Sequence, residues 1–312
     1  VRDALLGITP KDFDIEVYGL DLDRIAERLT QIGKTDLVGK SFAVVKLWAE
    51  GQEFDFAIPR RESKTGPGHR GFKIEADANL SEFDAIQRRD FTINALLYDP
   101  IEKQLIDYVG GKSDLKARTL RHISPAFAED PLRVLRGMQF AGRFGMTLTP
   151  ETAAFCYEMK REYSSLAKER IWGEWSKWAG QSRYPAKGLE ALKDSGWIAF
   201  YPELNALLRC PQDPEWHPEG DVWTHIKCCT EAMRNQSAWE TYELETRQVL
   251  SFGVLCHDLG NARCTRFAEK RGQLRWISPG HDQAGISLTE RFLQRIGSPN
   301  TFIEKVTKLV AN

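Results

Sequence analysis

From about residue 80 to its end, the chain places its apolar residues mostly at helical spacing; the residues before that point mix both periods. There is no internal repeat and no low-complexity tract, so the change of period reads as a small α/β head followed by an α-helical remainder. In the head, Asp14-Ile15-Glu16-Val17-Tyr18 alternates like a strand, and residues 22–32 have helical spacing that closes at Gly33. Residues 41–48 and 53–58 read as strands, and 60–72 as a loop carrying Gly66, Pro67, Gly68 and Gly71. Further on, 129–144 is a clear helix stopped by Gly145, and Trp216-His217-Pro218-Glu219-Gly220 reads as a boundary loop. The expected division is a head over 1–112, a helical neck and body over 113–215, and a last helical part over 216–312.

Composition narrows the class. With 42 % hydrophobic and 28 % charged residues the chain is neither disordered nor fibrous. The 43 Lys and Arg balance 44 Asp and Glu, which excludes a strongly basic coat but not a local basic groove. No apolar run approaches the roughly 18 residues of a spanning helix, and no signal peptide is visible. The six cysteines form no C-x-x-C, the usage of reduced thiols in a cytoplasmic protein.

Lys11-Asp12-Phe13-Asp14-Ile15 sets two carboxylates two residues apart at the start of a strand, hence on one face. Like charges that close repel unless a cation lies between them. Mg²⁺ suits them, because a hard octahedral ion takes one or two carboxylates plus substrate phosphates. A pair of such ions clamps the attacking and leaving oxygens of an in-line transfer. Asp55, in Phe54-Asp55-Phe56 on a later strand, is the candidate third carboxylate. Taken alone, D-x-D also fits a solvated turn.

Three further segments surround the pair: Val1-Arg2-Asp3-Ala4-Leu5-Leu6-Gly7 before it, then Arg88-Arg89-Asp90-Phe91-Thr92-Ile93-Asn94-Ala95-Leu96, then Glu129-Asp130-Pro131-Leu132-Arg133-Val134-Leu135-Arg136. In this order the set resembles the class II tRNA nucleotidyltransferases, or CCA-adding enzymes, and their poly(A) polymerase relatives in the polymerase-β superfamily. The resemblance implies an α+β protein with a small polymerase-β-like head of mixed sheet and helices, then an all-helical neck and body. It implies template-independent addition of C and A from CTP and ATP to the tRNA 3′ end, releasing pyrophosphate. Asp12 and Asp14 would hold the Mg²⁺ ions, with Asp55 completing the catalytic set. Arg2, Arg60, Arg89, Asp90 and Asn94 would bind the nucleotide's ribose and phosphates. Arg88 fits ribose recognition and a structural brace equally well.

In the family's E-D-x-x-R motif, Asp130 would accept from the exocyclic amine of cytosine or adenine, Arg133 would donate to the neighbouring ring acceptor, and Arg136 would extend the same helical face. Guanine and uracil reverse both groups, so a buried site rejects them. Gln139 stands where the family often carries an Arg and is left out of the site. The basic loop 60–72 resembles the segment linked to switching from C to A. The resemblance also implies glycines before Val1 and a further aspartate after Asn312.

Three of the six histidines fall in a second pattern: His225, the doublet His257-Asp258, and His281 in Gly280-His281-Asp282. This resembles the HD domain of one bacterial branch of the family, whose imidazoles and carboxylate suit a divalent transition metal that activates water. Asn261 replaces the lysine that usually follows H-D-L-G, so both a working hydrolase and a degenerate domain fit. His122 and His217 read as structural or loop residues, and the tryptophans after Glu169-Arg170 as packing. The competing functions are a poly(A) polymerase, an A-adding or CC-adding enzyme of the same family, and a metal-dependent phosphohydrolase built on the HD part. No membrane partner is expected.

Overall fold

The structure is a computed structural model describing residues 1–10, 12–38, 44–64 and 72–311. The chain forms two compact units, Val1–Ala117 with Arg121–Asp130, and Arg118–Leu120 with Pro131–Asn312.

The first unit runs α1 (Arg2–Leu5), β1 (Phe13–Glu16), α2 (Leu22–Leu29), β2 (Lys34–Val38), β3 (Val44–Ala49), β4 (Gln52–Ala57), β5 (Arg60–Lys64), β6 (Phe72–Ala76), α3 (Glu82–Ile86), β7 (Leu97–Asp99), β8 (Gln104–Ile106) and α4 (Gly111–Ala117). Its main sheet has the order β1-β4-β3-β2, with β1 parallel to β4 and the other pairs antiparallel. Asp21 starts α2 by accepting the Arg24 N–H at 2.8 Å. Ile25 and Leu29 of α2 then pack on Val45, Leu47 and Ile58 beneath the sheet. The helix stops three residues short of the expected 32, because a turn at Leu29–Ile32 swings the chain into β2 and leaves Ile32 65 % exposed. Part of the expected loop 60–72 is instead a hairpin in which β5 pairs antiparallel with β6. Its residues 65–71, and residues 41–43 of the expected strand, lie outside the described residues.

The second unit holds β9 (Thr119–Leu120), α5 (Leu132–Phe144), β10 (Thr147–Leu148), α6 (Pro150–Glu158), α7 (Lys168–Gln181), α8 (Pro185–Asp194), α9 (Pro202–Asn205), α10 (Val222–Arg234), α11 (Leu244–Cys256), α12 (Asn261–Cys264), β11 (Arg266–Lys270), β12 (Gln273–Ile277), α13 (His281–Arg295) and α14 (Asn300–Val310). Gly145 ends α5 in the left-handed conformation, φ 68°, as its position in the sequence predicts. The core is aromatic. Trp175 sits edge-to-face on Trp178, Tyr201 and Phe292 at centroid distances of 5.5, 5.2 and 5.4 Å, and none of the four is accessible. The tryptophans of α7 are therefore packing residues, as read from the sequence.

The β11–β12 hairpin interrupts the helices that the sequence reading carried to the end of the chain. Its signal was local: Arg271 and Gly272 both have positive φ, 56° and 77°, the demand of a two-residue type I′ turn. Among the described residues no helix is long and apolar enough to cross a membrane.

Candidate functional site

Strand register builds the acidic site of the first unit. The parallel β1–β4 ladder sets Asp14 opposite Asp55 and Phe13 opposite Phe54, whose rings meet at 5.3 Å and pin the register. Asp12 lies two residues before Asp14, just ahead of β1. Asp14 opens to solvent, yet partial desolvation raises its pKa, and the charges of Asp55 and Asp12 raise it further. The Asp55 Oδ1 is buried without a hydrogen bond, with the Lys46 ammonium at 3.4 Å. Carboxylates gathered from two paired strands, with Asp14 raised by the charges of the other two, are what a set built around a cation displays, so these residues fit Mg²⁺. Among the described residues, the clusters of three or more donors closing to within 4.8 Å lie in the second unit rather than here.

The raised Asp14 pKa has a sign that can be checked. The folded state holds that proton more tightly than the unfolded chain does. Stability of the metal-free protein therefore falls as pH rises from the ordinary aspartate value, about 4, through the raised one. Urea midpoints in chelator should decline over that window, and Asp14→Asn should remove this part of the decline.

Arg2, Arg89, Asp90 and Asn94 come together in one network. Arg2 Nη1 donates to Asn94 Oδ1, Asn94 Nδ2 donates to Asp90 Oδ1 at 2.8 Å, and Arg89 Nη1 donates to the Asn94 carbonyl at 2.9 Å. Asp90 is buried and also accepts the Phe91 N–H at 2.7 Å. Arg89 Nη2 pairs with Glu16, on the strand that carries Asp14. Glu16 is a site residue the sequence reading missed, although the alternation Asp12, Asp14, Glu16 placed it on the same face. Arg88 donates from Nη2 to both Glu129 oxygens at 2.8 Å, which makes it a brace. Arg60 opens β5 and is exposed.

Arg133 and Arg136 lie one turn apart on α5, half-buried among buried neighbours, and the Arg136 guanidinium stands 5.1 Å over the Phe140 ring. Asp130 does not share their helical face by helix geometry, contrary to expectation. It is extended, φ −122° and ψ 99°, and α5 begins at Leu132. The cause is Pro131, whose ring excludes the helical conformation from the residue before it. Gln139 is buried in α5 with its Nε2 unpartnered.

The second unit brings His225, His257, Asp258 and His281 to one point. The carboxylate of Asp258, buried at 6 % exposure, meets His225 Nε2 at 3.7 Å, His257 Nε2 at 3.5 Å and His281 Nε2 at 3.6 Å. The opposite ring nitrogens settle the tautomers. Glu219 takes His225 Nδ1 at 2.6 Å, the Val254 carbonyl takes His257 Nδ1 at 2.7 Å, and the Ser278 carbonyl takes His281 Nδ1 at 2.8 Å. These partners only accept, so each Nδ1 donates to them and each ring turns its Nε2 toward one carboxylate. Three imidazole Nε2 atoms converge on one buried carboxylate, and the residues fit a divalent transition metal with its outer hydrogen bonds in place.

Sequence reading missed three neighbours of this cluster. Glu219 is held down to about 2 by its own backbone N–H and by the His225 and His217 imidazoles, so it is a full anion. His217, read as a loop residue, is 3.1 Å from Glu219, and its ring is 4.7 Å from that of His225. It does lie in a loop, and the H-x-E spacing of His217 and Glu219 is the signal that ties that loop to His225. Cys229 Sγ lies 3.3 Å from His225 Nε2. A cavity of about 570 Å³ opens onto the cluster, with Trp216, Arg275 and Trp276 in its wall.

Gly260 permits this packing. A Cβ there would meet the His281 carbonyl at 1.8 Å and the Gly285 nitrogen at 2.8 Å. Gly260→Ala should destabilise the protein by roughly 3 kcal/mol, the upper range for overpacking, read as a lower urea midpoint.

These features define a nucleotidyltransferase head of polymerase-β type joined to a helical part. The Poly A polymerase head domain family model matches residues 1–121. The multifunctional CCA protein of Xylella fastidiosa strain 9a5c is 38 % identical over 309 residues, covering 97 % of this chain and 69 % of its own length. The chain belongs to the family of class II CCA-adding tRNA nucleotidyltransferases. Two solved structures share the fold. One is a tRNA nucleotidyltransferase complexed with a primer tRNA and an incoming ATP analog, with TM-score 0.58 and 22 % identity over 99 % of this chain and 77 % of that one. The other is a CCA-adding enzyme with CTP, with TM-score 0.56 and 21 % identity over 100 % and 73 %. Nucleotidyl transfer in this family implies a divalent metal.

Proposed function

We propose that this protein adds C and A nucleotides to the 3′ end of tRNA from CTP and ATP in the cytoplasm, with Mg²⁺ at Asp12, Asp14 and Asp55. The observation that carries this is the register of β1 on β4, which sets Asp14 against Asp55 with Asp12 two residues away. Bound Mg²⁺ would neutralise the triphosphate and lower the pKa of the primer 3′-hydroxyl. The carboxylates orient the reacting groups. Arg2 and Arg89 supply positive charge for phosphates and ribose, and Asp90, through Asn94, fixes that edge of the site. Arg60 contributes from its hairpin. Asp130, Arg133 and Arg136 read the base. The proposal assigns catalysis to 1–112, base selection to 113–215 and a second metal centre to 216–312.

The test is extension of tRNA lacking its CCA end by labelled CTP and ATP. One to three additions support the proposal, long A tails indicate a poly(A) polymerase, and partial ladders indicate an A-adding or CC-adding enzyme. A second activity, metal-dependent phosphoester hydrolysis, is favoured by the three imidazole Nε2 atoms converging on Asp258. A metal there would activate water. Phosphate release from 2′,3′-cyclic substrates without extension would make hydrolysis the main activity.

A further inference from the structure

We infer that Cys229 is a metal ligand of the His225, His257, Asp258 and His281 cluster, converting it into a mixed imidazole–thiolate centre suited to a zinc-like divalent ion. The inference rests on reading that cluster as a metal centre and goes one residue beyond the pattern that revealed it. Cys229 and His225 are one turn apart on α10, so both side chains project from the same face. The ligand atoms of His225, Cys229 and His257 all lie within 4.8 Å of one another. Two donors about 2.0–2.3 Å from a common ion and roughly 90–110° apart stand about 3–3.6 Å from each other, which brackets the 3.3 Å between Cys229 Sγ and His225 Nε2.

A thiol hydrogen bond to His225 would explain that distance by itself. It would leave unexplained why three imidazole Nε2 atoms gather within 3.7 Å of the buried Asp258 carboxylate. A shared cation accounts for both. Charge also balances: the thiolate and Asp258 together offset a divalent ion, and the thiol proton is released to solvent on binding. The cavity wall also holds Gln212 Oε1 and Asn261 Oδ1, buried without hydrogen-bond partners. Asn261 is 4 % exposed and directly follows the His257–Gly260 turn. A thiolate shifts the preference from magnesium toward softer ions. The neighbouring Cys228 is exposed and serves as an internal control.

The test is titration of the full chain with Co²⁺ as a spectroscopic reporter. The expected result is stoichiometric binding with ligand-field bands and a near-ultraviolet thiolate-to-cobalt charge-transfer band. Cys229→Ser should lose the charge-transfer band and bind about 10-fold more weakly or worse, while Cys228→Ser keeps both features. On the wild-type protein, Zn²⁺ should shield Cys229 but not Cys228 from alkylation, mapped by mass spectrometry. That readout does not depend on a variant that folds. Ligand-field bands without a charge-transfer band, or an unchanged band in Cys229→Ser, would overturn the role of Cys229 alone. Absence of Co²⁺ binding would overturn the metal-centre reading with it.

Discussion

Asp14→Ala is expected to abolish nucleotide incorporation while tRNA binding survives. The side chain stands opposite Asp55 in the β1–β4 ladder, and its removal takes away a charge that the proposed ions require. Metal stabilisation of a phosphoryl transition state is worth several kcal/mol, so the rate should fall by about 10³-fold or more. Binding of tRNA rests on Lys and Arg contacts to phosphates and should change little. Fold integrity is also expected, because Asp14 is exposed and its desolvated, repelled carboxylate is a liability without a cation. Single-turnover extension beside a filter-binding titration separates the two effects. Full activity in Asp14→Ala would end the proposal for the head.

Arg133→Ala is expected to relax base choice as well as slow the reaction. A base read by two side chains on its pairing edge is discriminated by about 1–3 kcal/mol, so preference for CTP and ATP over UTP should drop by about 5- to 150-fold. The measurement is competitive incorporation on a defined tRNA end. A uniform rate loss with unchanged C and A preference would reduce Arg133 to a structural residue. Asp130→Ala should act in the same direction. Because Pro131 holds Asp130 in extended backbone outside α5, its orientation depends on that junction and not on a helix turn. Pro131→Ala is therefore a milder probe of the same contact.

The places where sequence reading worked share a physical character. Asp12 and Asp14 were legible because strand alternation is a local rule, and Asp55 because it sits in a short aromatic strand. The His257-Asp258 doublet and His281 could be singled out because the chain has only six histidines, and the fold brings both histidines to Asp258. The places where it stopped short are also specific. Pro131 overrode a helix that the apolar spacing had extended back to Glu129. Glu16 was passed over because one carboxylate in a strand says nothing about an arginine 73 positions later. His217 and Glu219 sat in a segment whose Pro and Gly marked it as a loop, and their contact with His225 comes from the fold around α10.

From the sequence alone came the change from mixed to mostly helical architecture, the acidic pair, the E-D-x-x-R segment and the histidine pattern, because each is written in residues close together along the chain. Only the tertiary structure decided that Asp14 faces Asp55, that Arg2, Arg89, Asp90 and Asn94 form one network, and that Cys229 lies beside His225 and His257. Those are contacts between distant segments, and they depend on strand register and on how helix α10 meets the turn after α11. No local period encodes either one; burial of the two cores selects them.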